Sequence, residues 1–373
     1  MSENLGINVG LYFDLRNPRP WRQDPARLHG FTLEACEEAE RLGAHSVWFT
    51  EHHRFDDGYL TQPLTFAAAA AARTSRVRLG TAVIVAPLHN PVEIAEQAAL
   101  VDLISGGRLD VGIGAGYRAP EYELYGVSGE RRYGATDERA RELRRLWGGG
   151  GGGEGGGRGV GGGDSGGDGG GGVTPRPVQE RVPLWMGYLG PQGARRAGLL
   201  GEGLLAADPA LWEPYRAGLV EGGHDPASGR MAGGIQGWVS EDPEADWPVV
   251  ARHLGYQVDS YRRHMVEGTG APVPRAVDPE RLRARDPRGS LDYFFLDTPE
   301  GMADRIRRHV KGAPVETVLL WASLGGMPEE LVARHIRTVC TRLIPLLRAP
   351  AADATSATNP TTDLTMDLTT EGS

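Results

Sequence analysis

The chain has 373 residues, a formal net charge of −9, and 24% charged against 40% hydrophobic side chains. That balance argues against a general polyanion or nucleic-acid binder, and no apolar run approaches the roughly 18–20 residues that span a bilayer. The opening Met1-Ser2-Glu3-Asn4 lacks the basic and apolar stretches of a secretory leader, and two cysteines make no disulfide framework, so a reducing, cytoplasmic setting is expected. Glycine is unevenly spread: 19 of the 55 fall within the 25 residues 148–172, and residues 349–373 are rich in Thr, Ala and Asp. The expectation is one domain over residues 1–348, with a flexible Gly-rich insertion at 148–172 and a disordered tail at 349–373.

Along the chain, residues 7–13 read as a strand with Val9, Leu11 and Phe13 on one face, and residues 31–42 have helical spacing that stops at Gly43. Strand 46–50 follows, then a polar loop to residue 59, the Ala-rich helix 64–72, strand 77–85, helix 91–104 and strand 109–113. Helix 136–147 leads into the Gly-rich block. The alternation then resumes with strand 184–188, helix 192–200, strand 204–207, helix 209–221, strand 235–239 and helix 251–265. Helix 302–310, strand 315–321 and an amphipathic helix over 329–347 close the chain. Eight strand–helix units match a closed (β/α)8 TIM barrel better than an open doubly wound sheet, and no G-x-G-x-x-G follows an early strand.

Barrel enzymes place their chemistry on the loops that follow the strands. After the second strand stands Glu51-His52-His53. Adjacent imidazoles on an extended chain point to opposite sides, so at most one of the pair normally faces the mouth. An imidazole there can hold an anion or move a proton; a structural pair packed beneath the loop is the plain alternative. A metal is not expected, because no second cluster of His, Asp and Cys is visible after the other strands. The third strand passes through Ala82 and Val83, and the fourth ends Gly112-Ile113-Gly114-Ala115-Gly116. Small residues at these ends let a flat ring approach the backbone. The fifth-strand loop, with Gly187, Tyr188, Gly190 and Gly193, opens a helix carrying Arg195, a start that favours an anion such as phosphate. Together these point to a planar, phosphorylated cofactor.

The sequence resembles the bacterial luciferase-like flavin-dependent monooxygenases. The resemblance rests on Trp48-Phe49-Thr50-Glu51-His52-His53, on Gly80-Thr81-Ala82-Val83 with Asn90-Pro91, and on Leu103-Ile104-Ser105-Gly106-Gly107-Arg108-Leu109. Thr174-Pro175, Pro183-Leu184-Trp185 and the closing Met327-Pro328-Glu329 extend it over about residues 5–347. It implies reduced FMN at the C-terminal mouth of the barrel, delivered by a separate flavin reductase. It also implies oxygen chemistry through a C4a-peroxyflavin on a small organic substrate. His52 corresponds to the family histidine that assists this chemistry, with Glu51 and His53 beside it. Ala82 and Val83 correspond to the pair lying against the isoalloxazine, often through a cis peptide, and Gly114 and Ala115 to a cofactor-lining segment. The Cys and phosphate-binding Arg of the luciferase α-subunit are absent from that segment, and Gly190 stands where a phosphate-binding serine is common. Backbone N–H groups around residues 190–194, aided by Arg195 or Arg118, are the expected replacement.

Two other functions compete. An F420-dependent oxidoreductase would keep the barrel and transfer hydride without oxygen, and the Arg-rich composition suits such a source; Glu-His-His in place of Asp-His favours FMN. A non-catalytic flavin-binding companion subunit would have no use for both His52 and His53. The segment 268–290 is expected either as a solvated loop or as a mobile cover for the mouth. Family members often form dimers, so a homodimer is a further expectation.

Overall fold

The computed structural model describes residues 6–148, 172–283 and 294–349. The expected flexible insertion and disordered tail lie almost wholly outside the described residues, as does part of the 268–290 segment. The strands are β1 (Asn8–Phe13), β2 (Ser46–Phe49), β3 (Arg78–Thr81), β4 (Ile84–Val85), β5 (Leu109–Gly114), β6 (Leu184–Met186), β7 (Gly203–Leu205), β8 (Met231–Ile235), β9 (Gly237–Val239), β10 (Phe295–Asp297) and β11 (Val315–Trp321). Eight of them form one parallel ring in the order β3-β2-β1-β11-β8-β7-β6-β5, closed by pairing of β5 with β3, while β4 continues alongside β5. This is the closed (β/α)8 barrel expected from the alternation.

Register explains how the interior fills. Val9, Leu11 and Phe13 face outward, and Phe13 and Phe49 lead to Phe66 on the helix Pro63–Arg73. Tyr12, Trp48, Trp185 and Trp321 are also buried. A Cβ on Gly80 would fall 2.2 Å from the Trp48 ring, and one on Gly203 would fall 2.5 Å from Trp185. Each indole thus lies flat on a neighbouring strand only because that strand offers glycine there. Trp48, Trp185 and Trp321 are core residues, and Cys36 and Cys340 are buried free thiols whose ionisation burial suppresses.

Several boundaries differ from the sequence reading. The third strand is not continuous over 77–85; it breaks at Ala82–Val83, where the peptide bond is cis. The strand expected over 235–239 belongs in the barrel at Met231–Ile235, whereas Gly237–Val239 pairs outside it with Phe295–Asp297. That barrel strand reads Met-Ala-Gly-Gly-Ile because a Cβ on Gly233 would lie 2.4 Å from the Ala207 backbone nitrogen, and a strand of small residues carries no periodic signal. The first helix starts at Pro25 behind the Asp24 cap. The helix expected over 251–265 spans Pro243–Val266. A short helix, Ala119–Tyr125, stands where none was expected. The closing helix is interrupted by a wide turn over Val339–Leu343, just before Pro345, a residue that cannot complete a regular α-helical ladder.

Candidate active site

Strand β2 ends with Phe49, and the next residues diverge as the extended chain requires. His52 turns toward the mouth, where its ring lies 4.7 Å from Phe55, 4.8 Å from Tyr59 and 5.3 Å from Tyr117. His53 and Glu51 turn the other way. One of the two imidazoles therefore faces the mouth, as expected.

The His52 Nδ1 lies 2.9 Å from Glu121 Oε1, which also accepts the His53 backbone N–H at 2.9 Å. Burial works to raise the Glu121 carboxyl, but the His52 hydrogen bond, the His53 N–H and the Arg118 charge outweigh it and hold Glu121 below the usual carboxylate range. An ionised carboxylate only accepts, so Nδ1 carries the proton and Nε2 is the working nitrogen, 3.4 Å from the Tyr117 hydroxyl. This carboxylate–imidazole pair fixes both tautomer and ring orientation. Arg118 completes it: fully buried, it donates to the His53 carbonyl, sits over Phe55 and pairs with Glu267 at 2.6 Å.

On the far side, Glu51 Oε1 accepts from His53 Nε2 at 2.7 Å and His89 Nε2 at 2.6 Å, while Oε2 accepts the Val85 N–H at 2.9 Å. Burial pushes the Glu51 carboxyl up, and the two imidazoles more than offset it; His89, which burial alone would lower, is raised by Glu51. His89, given no role from the sequence, joins this group because adjacent strands bring residues far apart in sequence together. The donor atoms of Glu51, His53 and His89 lie within 4.8 Å of one another and are of metal-ligating type. Both Nε2 atoms converge on one Glu51 oxygen at hydrogen-bond distance.

Across the mouth, Ala82 and Val83 are half-exposed within an otherwise buried run, and Gly187 is half-exposed beside them. A Cβ on Gly114 would fall 2.6 Å from Val83 Cγ2, and one on Gly187 would fall 2.5 Å from Val83 Cγ1. Both glycines therefore make room for the Val83 side chain, which braces this wall. Ala115 is buried, its carbonyl bonded to the Tyr122 hydroxyl. The Tyr188 side chain turns away from the mouth and bonds Asp137 at 2.5 Å, with Gly193 packed against it.

The helix Gly190–Leu200 starts without a side-chain cap, Gly190 has φ +79°, and a Cβ there would meet nothing within 4 Å. Leu189 next to it is 85% exposed. This open, uncapped start fits an anionic group of a cofactor. The arginines expected to help are engaged elsewhere, Arg195 with Glu221 and Arg118 with Glu267. Backbone N–H groups are what this cradle offers a phosphate.

Sequence reasoning missed Glu121 and the role of His89. Glu121 sits on the short helix Ala119–Tyr125, whose seven residues carry no clear period; its only signal is a carboxylate three residues after Arg118.

The sequence profile of the luciferase-like monooxygenases matches residues 11–315, and the chain belongs to that family. It is 38% identical over 132 residues to flavin-dependent trigonelline monooxygenase, oxygenase component, of Acinetobacter baylyi, covering 34% of this chain and 36% of that one. It is 30% identical over 220 residues to F420-dependent glucose-6-phosphate dehydrogenase of Kineococcus radiotolerans, covering 57% of this chain and 61% of that one. The chain thus aligns with about a third of the first relative and less than two thirds of the second. Among solved structures, monooxygenase RslO1 from Streptomyces bottropensis superimposes with a TM-score of 0.69 at 24% identity, over 91% of this chain and 99% of that one. An F420-dependent secondary alcohol dehydrogenase gives 0.63 at 23%, over 92% and 100%. These likenesses establish the shared fold.

Proposed function

We propose that this chain is the oxygenase of a flavin-dependent monooxygenase, using reduced FMN from a separate reductase and molecular oxygen to oxidise a small organic substrate. The observation that carries the reading is the His52–Glu121 pair, a tautomer-fixed imidazole facing the same mouth as the Ala82, Val83 and Gly187 wall. Bound flavin supplies the means to activate oxygen. Ala82, Val83, Gly114 and Gly187 would carry its ring, and the start of the helix Gly190–Leu200 its phosphate. His52 Nε2 would hold or pass one proton at the reacting oxygen, while the rings of Phe55, Tyr59 and Tyr117 keep water from it. Glu51, His53 and His89 hold the β4 corner behind that wall through the Val85 N–H. The words "oxygenase component" in the name of the trigonelline relative support a separate reductase.

A second reading, hydride transfer with F420, draws on the longer alignment to the F420-dependent dehydrogenase. A companion subunit without catalysis would not need the Glu121-oriented imidazole. Anaerobic titration with reduced FMN and with reduced F420 tests the choice. The proposal expects saturable, tighter binding of FMN; preference for F420 would replace it with the hydride-transfer reading. The reading also takes the protein as cytoplasmic; among the described residues no helix is long and apolar enough to cross a membrane.

A further inference from the structure

A second polar cluster lies at the same mouth, at the end of β1. In that strand Tyr12 faces inward, its ring tilted against Trp321 with centroids 3.9 Å apart, and Asp14 is the next residue of the same parity. Leu15 then takes a left-handed conformation, φ +54°, and on the facing loop Arg54 does the same at φ +55°. Such residues are rare away from glycine and cluster where surroundings impose a geometry. Between these turns lies the Arg16 guanidinium, buried, bonded to Asp57 at 2.7 Å and to the Ser260 hydroxyl. It stands 5.0–5.6 Å from the ring centres of Phe55, Tyr59, Tyr256 and Tyr261. Three of these rings, Phe55, Tyr59 and Tyr261, also surround His52. The cluster and the imidazole therefore share one set of aromatic neighbours.

The cluster is incomplete. Asp14 Oδ1 accepts the Arg16 backbone N–H at 3.3 Å, but Asp14 Oδ2, Asp57 Oδ1 and Arg16 Nη1 have no partner although all three residues are over nine-tenths buried. A buried carboxylate oxygen without a donor carries its desolvation cost uncompensated. Two carboxylates face one guanidinium, and burial, opposed by Arg16 and reinforced by Asp57, pushes the Asp14 carboxyl up to about 7.

Resting on the monooxygenase reading, we propose that Asp14 anchors the substrate: its free oxygen accepts a hydrogen bond from a hydroxyl group on an aromatic ring seated among these side chains. A hydroxyl fits because it donates to Asp14 and can accept from Arg16, whose Nη1 also lacks a partner. An ammonium only donates and would be repelled by the guanidinium. An aromatic ring fits because the walls are Tyr12, Phe55, Tyr59, Tyr261 and Trp321. The Tyr59–Tyr261 hydroxyl pair, 2.8 Å apart, is the contact that parts to admit it.

The test uses phenol and toluene, in which a methyl group of nearly the same size replaces the hydroxyl, measured by calorimetry on the full chain with and without FMN. At about pH 8 phenol stays un-ionised and Asp14 is ionised. The wild type should bind phenol at least about tenfold more tightly than toluene, the size of one charge-assisted hydrogen bond. Asp14→Asn, isosteric and able to keep the Arg16 N–H bond, should bring that ratio close to one with its melting temperature retained. A wild-type ratio near one, no saturable phenol binding up to millimolar concentration, or an unchanged ratio in Asp14→Asn overturns the anchor. The wild-type ratio decides the matter even if the variant fails to fold. Reduced-FMN titration of the same sample separates the two claims, since flavin binding without a phenol preference removes only the anchor, and a phenol preference without flavin binding removes only the monooxygenase reading.

Discussion

At the scale of single residues, the two adjacent histidines divide their labour by direction. His52 reaches the mouth and is oriented by Glu121; His53 reaches backward and helps hold Glu51. His52→Ala should lower substrate oxygenation by about 10²–10⁴-fold, the usual worth of a positioned proton-transfer group, while the dissociation constant for reduced FMN stays within about twofold. A variant that retains turnover would remove His52 from the chemistry. Glu121→Gln keeps shape but releases the tautomer, and it should lower the turnover number about tenfold or more with little change in KM. A change confined to KM would make Glu121 a binding residue instead. Glu51 behaves differently, because all of its hydrogen bonds lie behind the wall. Glu51→Ala leaves the buried His53 and the half-buried His89 without their acceptor and should cost about 3–5 kcal/mol in urea unfolding, and a loss below about 1 kcal/mol would refute the brace.

At the scale of elements, the wall proposed to face the flavin is three strands locked by one side chain. Val83 fills the space that Gly114 and Gly187 leave open, so Gly114→Ala should weaken reduced-FMN binding and Gly114→Ala with Val83→Ala should recover part of it. Strictly additive effects would mean that the contact is not shared. The closing helix is tied down by His335, whose Nε2 bonds the Trp321 carbonyl and whose Nδ1 meets the Val239 N–H, with the ring stacked on Trp238 at 3.7 Å. Burial lowers this imidazole to about 4. The unfolded chain therefore binds a proton more readily than the folded one between about pH 4 and 6.5, and folding stability from this group is present above that window and lost as pH falls through it. The slope approaches about 1.4 kcal/mol per pH unit. His335→Phe should flatten that part of the stability profile, and an unchanged slope would assign the acid sensitivity elsewhere.

At the scale of the whole molecule, the barrel was legible because alternating strands and helices each carry their own period, and because the 51–53 and 80–83 segments are distinctive. The rest was hidden for physical reasons. Strand Met231–Ile235 is built of small residues pressed against the Ala206 and Ala207 backbone, a tertiary demand that no local pattern announces. Glu121, His89 and the Asp14–Arg16–Asp57 cluster join residues tens to hundreds of positions apart, brought together only by barrel closure. Arg195 looked available for a phosphate, yet its partner Glu221 lies on the next helix. The homodimer expected from the sequence would have a candidate face in Val92, Leu100, Leu103 and Ile104, exposed along one side of the helix Pro91–Ser105. Leu100→Glu with Ile104→Glu should convert a dimer to a monomer in analytical ultracentrifugation, and a wild type that sediments as a monomer would dismiss that face.

The central claim is that this mouth directs reduced flavin toward oxygen. The most direct measurement is stopped-flow mixing of the anaerobic protein–FMNH2 complex with oxygenated buffer. The account expects a transient absorbance distinct from both reduced and oxidised flavin, long-lived in the wild type and shortened in His52→Ala. Direct conversion to oxidised flavin at the rate of free FMNH2, in the wild type and the variant alike, would contradict it.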